Sequence, residues 1–271
     1  MIEELDPIIE TQLKAAGVDC IGKDVFPAIG EFDPERVRVC AAQAGLLPIE
    51  EASAPQPVQG LPPRPPVLCP GCPHRPVFAL LRKLKVVVNG DIGCYTLGSS
   101  APLSAVHTTG CMGASIGVAH GVAQAGITER NVAVIGDSTF LHSGIPALLN
   151  IAYNGGNTTT IILDNRTTAM TGHQDHPGTG RTLQGQPAPA VALEPLVRAL
   201  GIRQVFTVDP FRLSELEQLL RACLEMPEPS VIIASHPCAL LPEERGLREP
   251  MTVSLDDCIA CGVCLSLGCP A

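Results

Sequence analysis

From Val67 to about Pro237 the chain alternates short, continuous apolar runs with amphipathic segments. That pattern leaves few folds open. A run of roughly four to eight apolar residues suits a strand buried on both faces, and apolar residues at three- and four-residue steps lay a helix on a sheet. Strands separated by helices pair in parallel. The sequence predicts an α/β fold, a doubly wound parallel sheet with strands at Lys85–Asn89, Asn131–Ile135, Thr159–Leu163, Arg203–Val208 and Ser230–Ala234. The clearest helices fall near Met112–Gln124, Ser143–Tyr153 and Leu213–Leu224. Gly110, Gly113, Gly117 and Gly121 punctuate the first of these, which implies close approach of a neighbour or ligand; tight packing of helix on sheet explains the later two equally well.

Around this domain, placed at 67–241, the chain divides into three further pieces. Residues 1–51 carry helix-like acidic segments, including a helix start at Asp33-Pro34. This piece looks too small to fold alone. Residues 52–66 are proline-rich without apolar period and read as an extended, semi-rigid linker. Residues 242–271 turn charged and irregular and then end in a cysteine-dense tail.

Net charge is -9, and no cluster of Lys and Arg exists that would suit nucleic acid or an anionic membrane surface. There is no apolar run of about 18 residues and no basic-then-apolar leader, so a cytoplasmic location is expected. In that compartment the 12 cysteines read as metal ligands or reactive thiols rather than disulfides. Cys69/Cys72 and Cys258/Cys261/Cys264/Cys269 form tight groups, while Cys20, Cys40 and Cys223 read as small buried hydrophobes.

The segment NVAVIGDSTFLHSGIPALLN is a buried strand, a Gly-Asp turn and a helix. Ligands of open parallel sheets bind beyond the carboxyl ends of the strands, where Asp137 stands. Ser138 to His142 open the following helix, whose free N–H groups suit a phosphate. The next strand ends in Asp164-Asn165. A hard divalent cation takes oxygen ligands: the Asp137 carboxylate, the Asn165 amide oxygen and the backbone carbonyl of Thr167 are the candidates. An ordinary strand-to-helix turn is the plain alternative for Gly-Asp-Ser alone.

Gly136-Asp137-Ser138 followed by Asn165 resembles the Gly-Asp-Gly…Asn motif of thiamine-diphosphate enzymes, with Ser138 at the usual third glycine. Gly110-Cys111-Met112-Gly113 is similar to that superfamily's Gly-x-Met-Gly stretch, which implies that Met112 props the cofactor in its bent form; core filling is the alternative. Together with CPGCPHRPVFALL, NGDIGCYTLG, HTTGCMGASIGVAHG, ILDNRTTAMTGHQDHPGTG, SHPCALL and CIACGVC, these blocks resemble indolepyruvate ferredoxin oxidoreductase. The resemblance implies thiamine diphosphate and Mg2+ as cofactors. It also implies oxidative decarboxylation of an aryl-2-oxoacid with coenzyme A to an aryl-acetyl thioester, ferredoxin taking the electrons through [4Fe-4S] clusters. A non-oxidative decarboxylase and a non-catalytic electron-transfer or assembly subunit are the competing readings. Expected partners are a small beta subunit, a missing pyrimidine-type domain and ferredoxin, in an oligomer. His173 and His176, in the polar segment after Asn165, are candidates for binding the substrate carboxylate or relaying protons; surface histidines read the same way.

Cys258-x2-Cys261-x2-Cys264 with Cys269-Pro270 is close to the bacterial ferredoxin run, the last interval one residue longer; zinc is the alternative ligand. Cys69-Pro70-Gly71-Cys72, Cys94 and Cys238 resemble the four-cysteine set that related 2-oxoacid oxidoreductases hold close to thiamine diphosphate. That implies a proximal four-iron cluster. Buried thiols at Cys94 and Cys238, with Cys69 and Cys72 binding zinc or nothing, are the other reading.

Overall fold

The computed structural model describes residues 1–48, 60–61, 65–127, 129–244 and 252–267. Cys269 and most of the proline-rich stretch 52–66 lie outside them. The chain divides into two compact units, Met1–Pro63 and Arg64–Ala271. The first contains α1 (Ile8–Ala15) and α2 (Pro34–Gln43). Asp33 caps α2, its carboxylate accepting the Arg36 N–H at 2.7 Å, with Pro34 at the first helical position.

The second unit is built on a parallel sheet of six strands in the order β2-β1-β3-β4-β6-β5. In chain order the elements are α3 (His74–Lys83), β1 (Val87–Gly90), β2 (Thr108–Thr109), α4 (Ala114–Gln124), β3 (Asn131–Gly136), α5 (Asp137–Thr139), α6 (Ile145–Tyr153), β4 (Thr159–Asp164), α7 (Leu193–Ala199), β5 (Gln204–Val208), α8 (Leu213–Leu224), β6 (Ser230–Ser235) and α9 (Val263–Ser266). Alternate strand residues point to opposite faces, as the pleat requires. Val134, Ile161, Leu163 and Ile232 pack with α3 and α8, whereas Ala133, Ile135, Ile162 and Ile233 pack with α4, α6 and α7. Burial on both faces explains why these strands are runs of Val and Ile without polar alternation.

Several boundaries differ from the sequence reading, each for a backbone reason. Lys85 has φ 53°, so the first strand begins at Val87. Gly113 has φ 89°, and the helix expected from Met112 starts at Ala114. The helix expected from Ser143 is preceded by α5 and a π-turn, Phe140–Gly144, which together lengthen it back to Asp137. A Cβ on Gly117 or Gly121 would meet nothing within 4 Å, so neither packs against the sheet as that reading allowed. Cys40 and Cys223 are buried, but Cys20 is only half-buried. Among the described residues no helix is long and apolar enough to cross a membrane.

From β1 the chain passes outward to β2 and then crosses back to β3 on the other side of β1. The carboxyl ends of β1 and β3 therefore flank a switch point, the place where an open parallel sheet leaves a crevice.

Candidate cofactor and metal site

Both strands at the crevice end in Gly-Asp. Asp91, after β1, is fully buried, and its oxygens turn inward: Oδ2 accepts the N–H groups of Gly113 and Ser115 at 3.0 and 3.2 Å, and Oδ1 accepts the Tyr95 hydroxyl. It thus caps α4 across 22 residues of sequence. Burial pushes the Asp91 carboxyl above its ordinary range, while its donors Tyr95, Ser115 and Gly113 pull it back. The Tyr95 ring lies on the backbone at the end of β3, where a Cβ on Gly136 would come within 2.8 Å of it. Glycine is required there by close approach.

Asp137, after β3, is held differently. Among the described residues Oδ1 accepts only the N–H of its neighbour Ser138, at 2.7 Å, and Oδ2 accepts the Arg166 N–H at 2.9 Å. Strands β3 and β4 are paired so that Gly136 faces Leu163, which sets Asp137 beside the end of β4. There Arg166 takes φ 60°, turning the chain so that Asn165 and Thr167 are buried on the same side. The Thr168 hydroxyl donates to Ser138 Oγ at 2.8 Å, tying the two loops together. Asp164, which accepts the Ser235 hydroxyl at 2.6 Å, is pushed above the usual carboxylate range by burial, the neighbouring Asp137 adding to it.

A cavity of about 80 Å3 opens over this turn, lined by Asp137, Ser138, Asn165, Thr167, Met112 and His74. Met112 is 45% exposed and stands at its rim, whereas Gly110 donates to the Gly90 carbonyl at 3.3 Å and holds the preceding loop against β1. Cys111 is exposed. His74 is fully buried, and burial pushes its pKa down to about 4. A second cavity, about 320 Å3, lies on the other side of Asp137 and is lined by Asp164, Arg166, His176 and Glu194.

The two histidines part company. His176 is buried, its Nε2 lying 3.3 Å from Asp137 Oδ2. His173 is exposed at φ 63° on a small hairpin, Nε2 standing 3.9 Å from Cys238 Sγ.

Cys69-Pro70-Gly71-Cys72 folds as a tight turn closed by the Cys72 N–H on the Cys69 carbonyl at 3.2 Å, with Gly71 at φ 68°. Pro and then a positive-φ Gly at the two central positions are what a type II turn needs. Cys94 opens the 3-10 turn Cys94–Ser99 after β1. Cys238 lies past β6, its N–H donating to the Asn165 carbonyl at 3.0 Å, which draws that loop back over β4. Burial, then the charges of the other cysteines, pushes Cys72 up to about 12 and Cys94 up to about 11; Cys238 is raised by burial, then by Cys69 and Asp137. So the structure brings the four thiols within electrostatic reach of one another. Yet among the described residues no group of three or more His, Cys, Asp or Glu is drawn tightly enough to hold a single metal ion. In the tail, Cys258, Cys261 and Cys264 are exposed. The tail's Leu267 carbonyl accepts Arg75 Nη1 at 3.4 Å, and the same guanidinium holds the Cys69 carbonyl at 3.0 Å.

Asp91, Tyr95 and His74 were not singled out by the sequence. The signal available for Asp91 was its Gly-Asp, repeated at β3.

Residues 91–234 match the family described as thiamine pyrophosphate enzyme, C-terminal TPP binding domain. The whole chain is 40% identical to the indolepyruvate oxidoreductase subunit IorA of Archaeoglobus fulgidus, covering 46% of it, and 40% identical to the same subunit of Pyrococcus abyssi, covering 47%. The chain thus spans about half the length of the curated relatives it matches. Among solved structures it is similar to a 2-oxoglutarate:ferredoxin oxidoreductase from Magnetococcus marinus with 2-oxoglutarate, coenzyme A and succinyl-CoA bound, with TM-score 0.53 over 65% of each chain. At 19% identity that likeness is one of fold.

Proposed function

Because this chain belongs to the thiamine pyrophosphate enzymes, through their C-terminal TPP-binding domain, we propose that the crevice between β1 and β3 holds thiamine diphosphate through a divalent cation. The observation that carries this is the hydrogen bonding at Asp137: among the described residues Oδ2 accepts the Arg166 N–H and Oδ1 only the adjacent Ser138 N–H, so the carboxylate keeps acceptor capacity beside a cavity that it lines together with Asn165 and Thr167. A carboxylate, an amide oxygen and a backbone carbonyl are a hard donor set that suits Mg2+, which keeps further positions for diphosphate oxygens. Ser138 and Thr139, opening the helical stretch after β3, offer N–H groups to the same diphosphate. Met112, at the rim of that cavity, would support the cofactor's bend. When bound, the cofactor supplies an electron sink for decarboxylating a 2-oxoacid.

The proposed reaction is oxidative decarboxylation of an aryl-2-oxoacid with coenzyme A, ferredoxin taking the electrons. The similarity to the IorA subunits supports the substrate class, and the half-length span supports further domains or subunits, a pyrimidine-type domain and a small beta subunit among them. Four thiols beside the crevice, Cys72 and Cys238 buried and Cys69 and Cys94 half-buried, favour an oxidative enzyme over a non-oxidative decarboxylase. Four cysteine thiols are a soft donor set of the kind that holds a four-iron cluster. A bound cluster would keep them as thiolates despite their burial. The tail cysteines Cys258, Cys261, Cys264 and Cys269 would supply a second cluster.

Calorimetric titration of the full chain with thiamine diphosphate and Mg2+ tests the first part. Asp137→Ala should abolish cation-dependent binding; undiminished binding by a folded variant overturns the site. For the second part, the full chain with Cys258, Cys261 and Cys264 changed to Ser should still take up about four irons on anaerobic reconstitution, and adding Cys72→Ser should remove them. A tail variant that binds neither iron nor sulfide overturns the proximal cluster.

A further inference from the structure

His176 is buried against the proposed cation ligand. It opens His176-Pro177-Gly178-Thr179, a turn whose ends are joined by the Thr179 N–H on the His176 carbonyl at 2.9 Å, with the Thr179 hydroxyl on the same carbonyl at 3.0 Å. Pro177 at the second position presets that turn. Inside it, the Gly178 N–H donates to His176 Nδ1 at 3.1 Å. A ring nitrogen that accepts carries no proton, so the neutral imidazole has its hydrogen on Nε2. That nitrogen faces Asp137 Oδ2 at 3.3 Å, the two side chains 2% and 3% exposed. At this separation and angle it makes no hydrogen bond, and among the described residues it has no other partner. A buried N–H without an acceptor is costly. Asp137 Oδ2, at 3.3 Å, is the acceptor that this N–H faces.

We propose that His176 is a positioning residue for the cation: its Nε2–H, with the Arg166 N–H, fixes Asp137 Oδ2 and leaves Oδ1 as the oxygen presented to the metal. The inference rests on the reading of Asp137 as cation ligand and deepens it. With the Nε2–H added to the Arg166 N–H on Oδ2, and among the described residues only the adjacent Ser138 N–H on Oδ1, the carboxylate would become a one-oxygen ligand of fixed orientation, as outer hydrogen bonds do for metal-bound carboxylates elsewhere. The ring in turn has little freedom. A Cβ on Gly178 would meet His176 Cε1 at 3.0 Å and Nδ1 at 3.3 Å, so the Gly178 backbone is the floor on which the imidazole lies. Gly178→Ala is therefore a graded perturbation of the ring that leaves its chemistry in place.

The test is Mn2+ titration of the full chain in the presence of thiamine diphosphate, read by the loss of the free-ion electron paramagnetic resonance signal and by the line shape of the bound ion. Asp137→Ala serves as the control for the site itself. His176→Gln keeps an N–H at about the reach of Nε2, and His176→Asn keeps a side chain amide too short to reach. The expectation is a loss of Mn2+ affinity of about 10- to 100-fold in His176→Asn, recovery to within about threefold in His176→Gln, and an intermediate loss in Gly178→Ala, with an altered bound line shape in the Asn variant. A merely structural role would not separate Asn from Gln or change that line shape. If Asp137→Ala loses the ion while His176→Asn keeps wild-type affinity and spectrum, the positioning role is wrong and the site stands. Wild-type binding by Asp137→Ala removes the cation site and the role of His176 with it.

Discussion

Two Gly-Asp pairs end neighbouring parallel strands, Gly90-Asp91 after β1 and Gly136-Asp137 after β3, and the same dipeptide does two different jobs. Asp91 spends both oxygens on donors of its own chain, the hydroxyl of Tyr95 and the first N–H groups of α4. Asp137 is pinned on one oxygen and left with capacity on the other. The difference arises from the segment after each strand. Beyond β3 the helix begins at once, so Asp137 stands at the mouth of its own helix; beyond β1 the chain runs through a 3-10 turn and the short β2 before α4 starts, and Asp91 reaches across to cap that later helix. A carboxylate at a switch point is thus free to serve as a ligand only where the fold leaves it acceptor capacity, and that is the ground for proposing Asp137 rather than Asp91.

Removing each carboxylate should separate these roles most clearly. Asp91→Ala strands the N–H groups of Gly113 and Ser115 and the Tyr95 hydroxyl in a buried place, and should lower unfolding free energy by about 3 kcal/mol, at about 1–3 kcal/mol for each unsatisfied buried group with partial relaxation. Asp137→Ala should change stability much less, because it also removes a poorly compensated buried charge beside Asp164. Urea unfolding with the transition slope held constant measures both. If Asp91→Ala keeps wild-type stability but loses cation-dependent cofactor binding, the two aspartates have been assigned the wrong way round.

The sequence carried the strands and Asp137 but not Asp91, for a reason that these residues show. NVAVI, TTIIL and SVIIA are buried on both faces, so their pattern is set by the layers that cover them and is visible in any short window. Asp137 and Asn165 come directly after such strands, and their positions come with them. Asp91 acts on residues 22 and 24 positions later, through a contact that no local period records. Likewise β2 is Thr108–Thr109, two exposed residues without apolar content, paired to β1 only because β1 is there. His176 was visible as a polar residue after Asn165. That it faces Asp137 depends on the folding of the whole loop from Arg166 to Thr179.

Ser138 gives the finest test of the contrast, since it stands where the resembling motif has glycine. Asp91 is tied to its surroundings through its own carboxylate, whereas the Asp137 turn is tied to the β4 loop beside it, through the Thr168 hydroxyl on Ser138 Oγ at 2.8 Å. Ser138 is 5% exposed, so the bond is shielded from water and deleting it should cost about 1 kcal/mol. Ser138→Gly removes the acceptor and frees the backbone; Thr168→Val removes the donor at nearly constant volume. If the bond is what links the loops, the double variant should lose less than the sum of the two single losses, by about 0.5–1 kcal/mol, the coupling expected of residues in contact. Cation affinity should fall slightly and equally in all three variants, because Asp137 and Asn165 would then share one less constraint. Strict additivity in urea unfolding would mean that the two loops are held in register by the β3–β4 pairing alone, and that serine at this position does no more than the glycine it replaces.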